Sequence, residues 1–169
     1  MITLYHGTDC DIRTPDPSRG REGTDFGQGF YLTPDVESAK SMASITVDRN
    51  GTGRRTVNIY DFNEEAASAA GLRIRRFVEM DMDWVSFVIA NRNFERDAPD
   101  HNLDSLYDVV VGFVADDKIR ALMRSYRLGL TTSDKILGIL KSRPWRVIQY
   151  SFHTKRAVRF LTLKEVWHE

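Results

Sequence analysis

The residue types that could do chemistry at informative spacing lie in two runs, Leu4-Tyr5-His6-Gly7-Thr8 and Thr24-Asp25-Phe26-Gly27-Gln28-Gly29-Phe30-Tyr31-Leu32-Thr33-Pro34-Asp35. Gly27 and Gly29 bracket one glutamine and lead into the aromatic pair Phe30-Tyr31. Such a backbone can turn tightly and approach a ligand that a Cβ would exclude. Thr33 is placed to cap a helix whose first position is Pro34, with Asp35 complementing the positive end of the helix dipole. Tyr31 would then be held at a strand-to-helix corner. His6 alone reads as a satisfied histidine at a strand end.

A third polar group comes late in the chain. Alternation puts Ile148, Tyr150 and Phe152 on one strand face and Gln149, Ser151 and His153 on the other, so an apolar wall backs a polar edge that could face a cleft. His153 on that edge reads equally as a proton or phosphate contact and as a structural hydrogen-bonder. The pair Asp116-Asp117 precedes an apolar helical stripe and reads as a helix cap rather than as metal-binding carboxylates. No metal site is expected.

The elements that must position these groups follow from periodicity and punctuation. Ile2-Thr3-Leu4-Tyr5 is a short strand, and Asp11 to Gly23, broken by Pro15, Pro17 and Gly20, is an irregular loop that could lie over a ligand. Val36, Ala39 and Ala43 recur at helical spacing, Asp48 to Arg55 is a turn, and Val57 to Phe62 alternates as a strand. Met82, Val85 and Ile89 form a helical stripe that breaks up in the polar Asn91 to Ser105, followed by a strand of buried type at Val109 to Val114. Asp116 caps a helix with Ile119, Leu122, Met123 and Tyr126 on one face and Gly129 as its stop. A short helix spans Ser133 to Lys141, Pro144 closes it, and Trp145 to Phe152 is the late strand, with a mixed tail to Glu169.

Composition bounds the function classes. At 169 residues the chain can bury roughly 70% of its unfolded surface in one core. The lone Cys10 excludes an internal disulfide framework and points to a reducing, cytoplasmic setting. No apolar run approaches the roughly 20 residues of a membrane span, and Met1 leads into a strand rather than a leader. With 24 basic and 24 acidic residues the net charge is zero, which removes any global pull toward nucleic acid or membrane.

The first two runs resemble the NAD-binding half of the ADP-ribosyltransferase fold, in the branch that includes diphtheria toxin and the poly-ADP-ribose polymerases. There a strand ending His-Gly-Ser/Thr is followed by Gly-x-Gly-Ile/Phe-Tyr-Phe/Leu and a small-residue helix. Leu4 to Thr8 matches the first element, and Gly27-Gln28-Gly29-Phe30-Tyr31-Leu32 followed by Ser38-Ala39-Lys40-Ser41 matches the second. With Val114-Ala115-Asp116-Asp117 and Gln149-Tyr150-Ser151-Phe152-His153-Thr154, the chain looks closer still to a bacterial family of unknown function placed near those enzymes. The resemblance implies a single α+β domain over 1–169, with two small antiparallel sheets flanked by helices and an NAD cleft between them. It also implies roles. His6 would hold the adenosine ribose hydroxyl, Gly7 backbone groups the nicotinamide amide, and Tyr31 would stack on the nicotinamide ring. Thr8, Gly29 and Thr33 would complete the cofactor contacts, and Arg19 and Arg21 would either meet the pyrophosphate or remain solvated loop charge.

Breaking the nicotinamide–ribose bond builds positive charge on the ribose, so the enzyme must clamp the dinucleotide and stabilise that ring. In the resembling enzymes a glutamate commonly faces the ribose from the start of the late strand; Gln149 stands there instead. A neutral amide orients a hydroxyl but cannot carry charge or act as a general base. The second stacking tyrosine of the polymerases is replaced by Met42. The expected activity is therefore NAD-dependent mono-ADP-ribosyl transfer to an unidentified acceptor (protein, nucleic acid or small molecule), without chain elongation. A toxin-like or regulatory role would suit it, with a neutralising protein partner. The alternatives are a non-catalytic NAD or ADP-ribose binding module and an NAD-dependent RNA 2′-phosphotransferase; zero net charge counts against the last.

Overall fold

The computed structural model describes residues 1–143 and 146–169. Along the chain run β1 (Ile2–Thr8), β2 (Phe30–Leu32), α1 (Val36–Asn50), β3 (Thr56–Phe62), α2 (Glu64–Ala69), β4 (Ile74–Arg76), α3 (Met82–Arg92), β5 (Val109–Phe113), α4 (Asp117–Arg127), α5 (Ser133–Lys141), β6 (Ile148–Phe152) and β7 (Leu161–His168). The fold is mixed α+β with two small sheets flanked by helices.

One sheet has the order β1-β3-β7 and is antiparallel throughout; the other has the order β2-β6-β5-β4. The second sheet is mixed rather than antiparallel, because β4 runs parallel to β5. A parallel neighbour needs a crossover, and α3 supplies it. The tail after β6 is likewise more than a mixed segment: β7 pairs with β3 from Leu161 to His168.

Strand alternation sorts the residues into two cores. Leu4, Tyr60 and Phe62 of the first sheet face Phe30, Leu32, Val109, Val111, Tyr150 and Phe152 of the second, all buried. The facing surfaces of the sheets are thus packed with apolar side chains, and a ligand cleft between them is closed at this level. On the other side of the second sheet, Phe26, Val110 and Phe113 pack under Trp84 and Phe87 of α3, Ile119 of α4 and Ile136 of α5.

Local signals explain the helix ends. Asp116 caps α4 by accepting the Ile119 N–H at 2.9 Å, and Gly129 follows its end at φ +71°. The first helix departs from expectation at both ends. Asp35, not Thr33, is its N-cap, and Pro34 lies outside it; the backbone of Thr33 is spent on a sheet contact described below. At the other end α1 runs through Asp48 to Asn50 and closes at Gly51, the first residue able to take the left-handed conformation without strain, φ +65°. Pro144, expected to close the region of the last helix, and Trp145, expected to start the late strand, lie outside the described residues. Among the described residues no helix is long and apolar enough to cross a membrane, and no group of three or more His, Cys, Asp or Glu could hold a metal ion.

Candidate functional site

The edge strands β1 and β2 meet at a single bridge: the Tyr5 N–H donates to Thr33 O at 2.8 Å and the Thr33 N–H to Tyr5 O at 3.0 Å. A continued ladder would next pair Gly7 with Tyr31, because outward-facing groups alternate along a strand. Instead the His6 ring takes the Tyr31 carbonyl, Nδ1 to O 2.7 Å, and the strands part. Gly7 points its N–H and C=O in the same direction as Tyr5, and neither has a partner among the described residues. The close packing of α1 on β1 explains the glycine: a Cβ at Gly7 would sit 1.8 Å from Ala39 O.

His6 lies half-buried, its ring 4.4 Å from that of Phe30. Burial pushes its pKa below the usual histidine value, partly offset by the bond to the Tyr31 carbonyl. A carbonyl only accepts, so Nδ1 carries the proton and Nε2 keeps its lone pair. Nε2 has no partner among the described residues. Thr8, by contrast, is buried and turns its hydroxyl to Asp9, 3.2 Å.

Around Tyr31 the groups are saturated. Its O–H donates to Gly27 O at 2.7 Å and accepts the Phe26 N–H at 3.0 Å, with Thr24 Oγ1 2.9 Å away. Burial raises the phenol's pKa, so the hydroxyl stays neutral. The half-buried ring stacks toward Phe26 and meets the edge of His153. His153 has both nitrogens engaged: Nδ1–H donates to Gln28 O at 2.8 Å and Nε2 accepts from Ser151 Oγ at 2.8 Å. Its pKa is pushed down to about 4 by burial, which leaves it a structural hydrogen-bonder. Gly29 is required beneath it, since a Cβ there would lie 2.8 Å from His153 Nδ1 and from Phe152 O. Gln28 donates to Ser18 O and Gly20 O, both at 2.9 Å, and so holds the Asp11–Gly23 loop onto the glycine turn. Arg19 and Arg21 of that loop are exposed and have no ion-pair partner among the described residues. The Thr33 hydroxyl donates to Ile148 O at 2.9 Å and accepts the Asp35 N–H at 3.1 Å.

Gln149 shares a β6 face with Ser151, which pairs in register with Tyr31; Gly7, Tyr31 and Gln149 therefore fall on the face away from the inter-sheet core. Gln149 Nε2 donates to Asp25 Oδ2 at 2.9 Å and to Phe113 O at 3.2 Å. Asp25, almost fully buried, also accepts from Arg92 Nε at 2.7 Å and the Ala115 N–H at 2.9 Å. Sequence reading missed Asp25 and Arg92. The only available signal was an acidic residue inside the glycine run, since its cation comes from 67 positions away.

The model of the family described as "Protein of unknown function (DUF3990)" matches residues 2–163, so the chain belongs to that family. No curated protein and no solved structure matches the chain.

Proposed function

We propose that this member of the family is an NAD-dependent mono-ADP-ribosyltransferase. One observation carries the reading: where β1 and β2 part, Gly7 offers an unpaired N–H and C=O beside the free Nε2 of His6. A strand edge offering one donor and one acceptor complements a primary carboxamide, and nicotinamide carries one. The His6 lone pair suits a ribose hydroxyl a short distance away. Tyr31 presents a half-buried ring on the same face as Gly7. Its hydroxyl is committed to the glycine turn, so only the ring is left for stacking.

In this reading NAD supplies the labile glycosidic bond and the leaving group. Gly7 fixes the carboxamide, His6 orients the distal ribose, and Gln149 turns a carbonyl dipole toward the ring on which positive charge develops. The Asp25 carboxylate does not replace the missing glutamate, because it is almost fully buried, its charge paired with Arg92 and its place fixed by Ala115 and Gln149. The lack of a free carboxylate favours one second reading, a module that binds NAD without cleaving it.

Incubation with NAD, with and without cell lysate, followed by mass spectrometry of small molecules and proteins separates the two. Release of nicotinamide with a mass gain on an acceptor is expected. A raised melting temperature with NAD left intact would support the binding module, and no thermal shift at millimolar NAD would refute both.

A further inference from the structure

Gln149 is more than a glutamate that lost its charge. Its two nearest polar neighbours, Asp25 Oδ2 and Phe113 O, are acceptors only, so the amide nitrogen must face them and both of its hydrogens are consumed. The oxygen Oε1 is the one group left, and it has no partner among the described residues. Asp25 cannot swing away from this arrangement. Its Oδ1 is held by Arg92 and its Oδ2 by the Ala115 N–H, in a site only 5% exposed.

We propose that Asp25 is a positioning residue which locks Gln149 as a neutral, acceptor-only group, so that this point of the site takes an uncharged hydroxyl donor such as a sugar hydroxyl. The hydroxyl's role as ligand rests on the NAD reading above; the lock does not. A carboxylate at this position would lie against the Asp25 carboxylate and the Phe113 carbonyl with no hydrogen to give. Like charges this close cannot both ionise freely, so one proton would be retained to higher pH.

The other charged or titratable groups around the pair are few. Arg92 meets Asp25 from α3, Tyr31 feels the Asp25 charge with its hydroxyl bonded to the glycine turn, Arg146 lies over the Phe113 ring at 5.8 Å, and His153 follows β6 with its nitrogens engaged. None of them donates to Gln149. Only the Asp25 lock makes the glutamine specifically necessary.

Gln149→Glu tests the lock without ligand. Below the raised pKa the protonated carboxyl of the variant can still donate to Asp25, and above it the bond becomes a repulsion. The melting temperature should therefore nearly equal that of the wild type near pH 5 and fall about 5 °C or more below it by pH 8. A difference independent of pH would overturn the lock. A second measurement survives a variant that fails to fold. The chain has two glutamines, Gln28 and Gln149, so glutamine-selective ¹⁵N labelling yields two side-chain amide signals, and Gln28→Glu identifies which belongs to Gln149. Slow solvent exchange of both Gln149 amide protons supports the lock, and fast exchange refutes it. On adding NAD the Gln149 signal should shift while its protection persists, because the ligand takes Oε1. Loss of protection would mean that the ligand takes the NH₂ and would overturn the acceptor role. An unchanged spectrum at millimolar NAD would remove the hydroxyl ligand and the NAD reading together, while leaving the Asp25 lock standing on its own data.

Discussion

The junction of β1 with β2 and the network under Tyr31 are built on opposite plans. At the junction, Gly7 N–H, Gly7 C=O and His6 Nε2 are left open by strands that part after one bridge. In the network, by contrast, Tyr31, His153 and Gln149 bond to the 24–28 turn, Ser151 to His153, and Asp25 to Arg92 and Ala115 as well, so that nearly every donor and acceptor is spent within the protein. The contrast separates receiving a ligand from holding the receiver in shape. Open polar groups at a strand edge cost stability and are tolerated where a ligand pairs them, whereas buried polar groups must be paired within the protein.

The largest effect should come from closing the junction sterically. In Gly7→Ala the new Cβ meets the Ala39 carbonyl, a backbone atom that cannot rotate away. The expected loss is on the order of 3 kcal/mol or more, or about 10 °C in melting temperature for a chain of this size. Retention of the wild-type melting temperature would show that α1 does not seat on β1 as described.

Acid should loosen the holding network next. His153 is neutral when folded, with a pKa of about 4 against an ordinary 6.5, and the unfolded chain therefore binds more protons between these values. Its contribution to stability is complete above about pH 6.5 and is lost as pH falls toward 4, on the order of 3 kcal/mol in all. The lowered pKa of His6 acts in the same direction. Melting between pH 4 and 8 should show the slope, and His153→Gln should flatten it. An equal slope in that variant would assign the acid sensitivity elsewhere.

A paired substitution gives the smallest effect and the sharpest contrast. Tyr31→Phe leaves the Phe26 N–H without its acceptor and should cost about 1–2 kcal/mol, with the NAD-induced thermal shift retained. His6→Ala should cost no more in stability yet abolish that shift. If Tyr31→Phe instead removes the shift while His6→Ala keeps it, the assignment of holding and receiving regions is reversed.

Much of the scaffold was legible because its causes are local. The α5 boundaries at Ser133 and Lys141, the Asp116 cap of α4, the alternation of β3 and the two faces of β6 each depend on residues within a few positions of one another. The placement of His6 on a strand and of Tyr31 at a strand before a helix was legible from the residues beside them. The cap of α1 was misplaced because a capping propensity was read without knowing that Thr33 would be spent on Tyr5 and Ile148. The parallel pairing of β4 carries no local mark at all.

What the amino-acid order determined by itself is where α1, α3, α4, α5, β1, β3, β5 and β6 fall in the chain, though not α2, β4 or β7, which strand faces are apolar, and that glycines stand where backbones come close. Short-range sterics and periodicity suffice for those. Tertiary structure alone decided what the glycines and polar groups are for: Gly7 accommodates α1, Gly29 accommodates His153, and Gln149 gives one of its hydrogens to an aspartate 124 residues away. A hydrogen bond depends on which acceptor lies within about 3 Å, and over such separations that distance is set by how two sheets and a helix pack, not by the sequence around either partner.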